Sequence, residues 1–208
     1  MKENYIEFYV NKFGYLKTLE DVEISFIPPI LRRRMSKFDK GIITVLNKVL
    51  SDDIENIVFS SQYGEVERLL KLIGQYTQEN EVSPNVFSGS VHNFSLGFYL
   101  LNVKKTIPYT ALSACEKSIS TGFLSSVIAN YDNNLFCYGD ISEDNFVSMA
   151  INLSKKPKQG SSKYILKPSI NDNLPDNFED YIELFAGNKK SIQTPLFTIE
   201  KEAGNDKD

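Results

Sequence analysis

Histidine and cysteine are scarce in this 208-residue chain: His92 is the one imidazole, and Cys115 and Cys137 are the only thiols. Two cysteines cannot build a disulfide framework. Both lie in apolar surroundings, which fits reduced thiols in a cytoplasmic setting. One histidine and two cysteines give no cluster with metal-ligand spacing, so no metal centre is expected. Neither G-x-G-x-x-G nor G-x-x-x-x-G-K-[ST] occurs, so a phosphate-cradling loop and a bound cofactor are not expected either. The G-x-S-x-G elbow of serine hydrolases is missing as well. No window reaches the apolar length of a membrane span, and residues 1–8 lack the apolar run of a signal peptide. A net charge of −4 excludes general attraction to nucleic acid or to membrane surfaces. The carboxylates are scattered, with no paired general acid and base in view.

What the chain does have is an ordinary globular composition, 41% hydrophobic and 24% charged, and enough length to bury a sizeable core. Strand and helix patterns alternate through its first two thirds. Residues 5–10 are aromatic and β-branched, as in a strand. Residues 36–50 carry apolar side chains at helical spacing. Residues 56–61 form a short continuous apolar run, as in a strand covered on both sides. Residues 65–76 read as a helix with Val66, Leu69, Leu70 and Ile73 inward. Residues 86–101 read as helix or strand, 106–114 as a strand, 116–130 as a helix and 134–138 as a strand. Further on, 146–153, 164–166 and 196–199 are strand-like, and 177–185 is a short helix. Such alternation predicts one layered α/β domain over residues 1–199 with a mostly parallel sheet. The charged, Gly- and Asn-containing residues 200–208 read as a frayed tail.

The chemistry concentrates in residues 83–140. An apolar strand ends in Ser113-Ala114-Cys115, and a helix follows at once. Unpaired N–H groups and the positive end of a helix dipole stabilise a thiolate at such a corner, so Cys115 is a candidate nucleophile for acyl transfer. The alternative is a packed cysteine at a crowded turn; Glu116 opposes a thiolate while Lys117 favours one. His92 sits in an apolar segment, where a satisfied core or interface imidazole is the plain reading. Cys137, inside Leu135-Phe136-Cys137-Tyr138, reads as a small core residue. The run Leu31-Arg32-Arg33-Arg34-Met35 is the one concentrated basic stretch. It is either a solvated connector or a dock for an acidic partner, since guanidinium forks suit carboxylates and phosphates.

Taken together, Leu31-Arg32-Arg33-Arg34-Met35-Ser36, Phe59-Ser60-Ser61-Gln62-Tyr63-Gly64-Glu65, residues 83–97 and residues 110–140 resemble the β-ketoacyl synthase-like N-terminal family of the thiolase superfamily. The half-length, chain-length-factor-like type, associated with aryl polyene and related type II fatty-acid or polyketide pathways, is the nearest. The resemblance implies a thiolase-like half: layered α/β/α with a mixed, mostly parallel sheet. Full ketosynthases end the matching strand in Thr-Ala-Cys, and that cysteine carries the acyl chain; Ser113-Ala114-Cys115 falls at this corner. Ile119, Gly122 and Phe123 fall where the nucleophile helix packs into the fold. The family's two catalytic histidines and its lysine lie in a C-terminal half beyond the matching stretches, and His92 corresponds to none of them. The resemblance therefore implies a catalytically incomplete subunit that pairs with a full-length ketosynthase or with itself, through residues 87–101 and 103–114, and shapes acyl-chain binding. It makes Phe87, His92 and Phe123 candidate substrate contacts, and Arg32, Arg33 and Arg34 a candidate dock for an acyl carrier protein. The alternatives are an active Cys115-dependent acyltransferase or condensing enzyme, and an acyl-chain or carrier-protein binding module.

Overall fold

The computed structural model describes residues 4–142 and 145–202. One eight-stranded sheet runs through them in the order β3-β2-β4-β5-β1-β6-β8-β7. Its strands are β1 (Ile6–Leu16), β2 (Asn56–Ser60), β3 (Tyr109–Leu112), β4 (Asn133–Ser142), β5 (Asn145–Ser154), β6 (Ser162–Pro168), β7 (Ser191–Gln193) and β8 (Phe197–Lys201). The helices are α1 (Pro29–Arg32), α2 (Lys37–Val49), α3 (Val66–Glu79), α4 (Pro84–Gly89), α5 (Phe94–Asn102), α6 (Ser118–Ile128) and α7 (Phe178–Phe185).

The sheet is mixed, as expected, but its parallel part is small. Only β2–β3 and β2–β4 are parallel; the other five pairings are antiparallel. The expectation of a mostly parallel sheet is corrected accordingly. The reason lies in the connections. A parallel pair needs a crossover, and only the stretch from β2 to β4 supplies crossover helices: α3, α4 and α5 before β3, then α6. Beyond β4 the chain turns back directly, with Ser142 opposite Asn145. Glu200 and Lys201, expected in the tail, pair in β8 with Ile165 and Tyr164. Residues 203–208 of that expected tail lie outside the described residues.

Layering follows from period-two alternation along the strands. In β4, Leu135 and Cys137 face one core while Phe136 and Tyr138 face the other. The first core is closed by α2 and α5 through Phe38, Ile42, Leu46, Leu96 and Tyr99. The second is closed by α6 and α7 through Ile119, Phe123, Tyr181 and Leu184. The chain is thus α/β/α, and β2 is buried along its whole length. This is why its sequence shows a continuous apolar run rather than alternation.

α2 starts at a capping box: the Asp39 N–H donates to Ser36 Oγ at 2.9 Å and the Ser36 N–H to Asp39 Oδ2 at 2.8 Å. Its close seat on the sheet depends on Gly41, where a Cβ would lie 2.0 Å from the ring of buried Phe146. α3 corrects the sequence reading. Leu69, Leu70 and Ile73, expected inward, are exposed at 48%, 61% and 51%, and Leu72 is the helix's buried residue. Residues 86–101 resolve into parts of two helices, α4 and α5.

Gly41→Ala gains helix propensity of up to ~1 kcal/mol but drives a methyl into Phe146. The expected outcome is a net loss of about 1–3 kcal/mol in urea unfolding.

Candidate functional site

The C-terminal ends of the three parallel strands meet at one corner. Ser60 of β2 pairs with Leu112 of β3 and Tyr138 of β4. Ligand sites of α/β sheets lie beyond the carboxyl ends of such strands. Three segments leave the sheet here: residues 61–64, residues 113–117 and the end of β4.

Asp140 organises the first of them. Its Oδ1 accepts from Ser61 Oγ and the Tyr63 N–H, each at 2.8 Å, and from the Gly64 N–H at 3.3 Å. Its Oδ2 accepts from the Gln62 N–H at 2.7 Å and the Tyr138 hydroxyl at 2.6 Å. The turn closes on a left-handed Gly64, φ +57°, a conformation that costs glycine little. Successive N–H groups wrapped around one carboxylate form a nest of the kind that binds anions, and here the chain fills it with its own side chain. Burial beside Asp140 pushes the Tyr138 phenol well above its ordinary value.

Cys115 stands where the sequence put it, at the corner after β3, and is exposed. Its φ is +51°, a strained setting for a side chain with a Cβ. Ser118 steadies the turn: the Ala114 N–H donates to its Oγ at 3.0 Å, and that hydroxyl donates to the Cys115 carbonyl at 2.7 Å. The following helix does not begin at the cysteine. A 3-10 turn, Cys115–Lys117, intervenes before α6. Near the start of α6 the Ser120 N–H already donates to Asp176 Oδ2 at 2.7 Å. The helix's positive end thus faces a carboxylate, which weakens the dipole effect expected at Cys115. Cys137 is enclosed, and burial pushes its thiol up.

His92 is half-buried, with its ring centroid 5.3 Å from that of Phe59. Its Nε2 lies 3.0 Å from the Leu112 carbonyl oxygen. A carbonyl can only accept, so that nitrogen carries the proton. Among the described residues no hydrogen bond joins His92 to Cys115, and the plain reading of a satisfied imidazole fits this geometry. Phe123 is fully buried, packed against Phe8, Phe136, Tyr181 and Phe197; its surroundings are core side chains. Phe87 projects from α4 and is 58% exposed. Arg33 and Arg34 are exposed and Arg32 is half-buried. The seven candidates thus divide between the corner, the core and the surface beside α4.

β3 is an edge strand. Ile57 and Ser61 N–H groups donate to the Pro108 and Leu112 carbonyls, so residues 108, 110 and 112 face β2. Residues 109 and 111 turn their N–H and C=O groups to the open edge. A cleft of about 520 Å³ lies on one side of β3, lined by Arg34, Val91, Phe94, Phe98, Leu101 and Tyr109. Another of about 360 Å³ lies on the other side, with Val58, Leu112, Ser125 and Tyr131 among its walls. Sequence reading missed Asp140, while the open edge falls within residues 103–114, expected as a pairing surface. The strand-terminal carboxylate after Gly139, with Ser61 and Gly64 at the end of β2, was the available signal for Asp140. No group of His, Cys, Asp and Glu suited to a metal ion lies among the described residues, and no helix there is long and apolar enough to cross a membrane.

The family model described as beta-ketoacyl synthase, N-terminal domain, matches residues 11–140. No curated protein matches the chain. Among solved structures, the chain resembles one chain of the ketosynthase ApeO in complex with its chain length factor ApeC from Xenorhabdus doucetiae. The likeness has a TM-score of 0.70 at 16% identity and covers 94% of this chain and 99% of that one. This establishes a shared fold. The ishigamide ketosynthase/chain length factor gives a TM-score of 0.43 at 10% identity, over 70% of this chain and 47% of that one.

Two outcomes are expected at the corner. Iodoacetamide labels Cys115 in the native protein, and Cys137 reacts only after unfolding, as read by peptide mass spectrometry. Asp140→Asn points an amide NH₂ at a ring of donors and lowers stability by about 2–3 kcal/mol in urea titration.

Proposed function

Because the chain belongs to the β-ketoacyl synthase N-terminal domain family, we propose that it is a chain-length-factor-like subunit of a type II fatty-acid or aryl polyene-type pathway in the cytoplasm. It pairs with a full ketosynthase and shapes the acyl-chain space between the two; it does not condense substrates alone. The observation that carries this reading is the open β3 edge, flanked on both sides by clefts with apolar walls. An unpaired strand with N–H and C=O groups facing outward is a template for a further strand. Exposed Val91 and Leu101 line the first of these clefts together with Tyr109 of β3. The solved structure with the shared fold contains a ketosynthase and its chain length factor, which supports a ketosynthase as partner.

The corner agrees with a non-condensing role. Decarboxylative condensation needs donors that stabilise an enolate as well as a nucleophile. His92 spends its Nε2 proton on the Leu112 carbonyl, and no second imidazole exists in the chain. One observation favours the alternative of a Cys115-dependent acyltransferase: the thiol is exposed on a strained backbone at a strand–helix corner. An acyl carrier protein is the proposed second partner, with Arg33 and Arg34 contributing exposed guanidinium groups for its acidic surface.

Ala111→Pro removes an N–H that points to the open edge and leaves the bonds to β2 in place, so the fold should tolerate it. The expected result is a one-to-one complex of the wild-type chain with its cognate ketosynthase by light scattering. The variant should lose that complex while melting within a few degrees of wild type. A complex that survives Ala111→Pro removes the edge from the interface. Charge reversal at Arg33 and Arg34 should weaken carrier-protein binding, with the loss larger at low salt; unchanged binding removes the dock.

A further inference from the structure

α3 and α4 form a lobe with little burial of its own. Leu72 is the buried residue of α3 and Gly89 that of α4. Among the described residues, every hydrogen bond and ion pair leading from residues 66–90 to α2, to α5 or to residues 31–36 passes through Arg68. Its guanidinium donates to Asp39 Oδ2 at 3.1 Å, to the Gly89 carbonyl at 2.5 Å and to the Arg34 carbonyl at 3.4 Å. It also lies 5.5 Å from the centre of the Phe94 ring. One side chain therefore clasps α2, α3, α4 and α5.

The clasp contains a second carboxyl group. Glu65, just before α3, is 7% exposed and Asp39 is 0% exposed. Asp39 is well supplied: besides Arg68 it accepts from the Ser36 N–H at 2.8 Å and from Ser95 Oγ at 2.6 Å. Glu65 accepts one hydrogen bond, from Ser36 Oγ, and Arg68 Nε is 3.9 Å away. Two buried carboxyl groups thus share a single guanidinium. Asp39 from α2 and Arg68 from α3 are the charged groups facing Glu65. α4 brings only the Gly89 carbonyl to the clasp, and α5 only Ser95 and Phe94.

We propose that Glu65 is a proton-operated latch on the α3–α4 lobe: with its proton it leaves Arg68 to clamp the lobe onto Asp39, and without it the lobe opens. The physical reason is that a second buried negative charge has no counter-ion of its own: the one guanidinium within reach, 3.9 Å away at Nε, is already bonded to Asp39. Opening returns that carboxylate to water. The proposal goes beyond the pairing reading and is independent of it.

The direction in pH follows. Burial beside Asp39 pushes the closed-state Glu65 carboxyl up to about 7, while in an opened lobe it returns toward its ordinary value of 4.5. The closed state holds the extra proton between those values, so opening becomes easier as pH rises through that window and levels off above about 7. Hydrogen exchange of the full chain, corrected for intrinsic rates, tests this between pH 5 and 8. Peptides from residues 66–90 should open about 50-fold more readily at the upper pH, while β4 and β5 amides hold steady. Glu65→Gln should stay closed across the range; Glu65→Leu serves if that variant does not fold. A pH response missing from residues 66–90, shared equally with β4 and β5, or retained in the neutral variant overturns the latch.

Discussion

A buried carboxylate must have its oxygens satisfied, and at Asp140 the chain meets that demand from one turn and one neighbouring tyrosine of β4. The three backbone N–H groups of residues 62–64, with the Ser61 and Tyr138 hydroxyls, converge on it. Losing partners around such a group costs far more than a neutral hydrogen bond contributes. The end of β4 is thereby tied to the segment leaving β2. Everything nearby takes its place from that tie. Residues 61–64 support the turn before Cys115 through the bond from Ser113 Oγ to the Gln62 carbonyl. Gly64 leads directly into Glu65 and α3.

The same corner sets the polar surroundings of Cys115. The parallel strands, the crossover helix and the thiol are all in place, yet the imidazole is committed to β3 and the helix end to Asp176. The polar groups near Cys115 serve the fold rather than a reacting carbonyl. Open hydrogen-bonding capacity is found instead along β3, where backbone groups face outward between two clefts.

Much of the fold was legible. The continuous apolar run of β2, the helical spacing of α2 and the strand–cysteine–helix corner all carry local signals, and each appears at or near its expected position. Phe123 and His92 were named as candidate contacts, and the structure sets one in the core and the other against a backbone carbonyl. Residue type and spacing say that such side chains matter without saying to what. α3 is the clearest miss. Its period marks an apolar stripe through Leu69, Leu70 and Ile73 but carries no information on whether that stripe meets the sheet or the solvent.

The sequence by itself determined most of the elements, the location of the thiol and the family resemblance, because these rest on periodicity and short motifs within a few residues of one another. Only the tertiary structure decided the balance of parallel and antiparallel pairing, the exposure of α3, and the gatherings around Asp140 and Arg68. Those depend on which distant segments become neighbours: Asp140 meets a turn lying 76 to 79 residues earlier, and Arg68 reaches back 29 residues to Asp39. Local chemistry supplies such groups, but burial selects their partners.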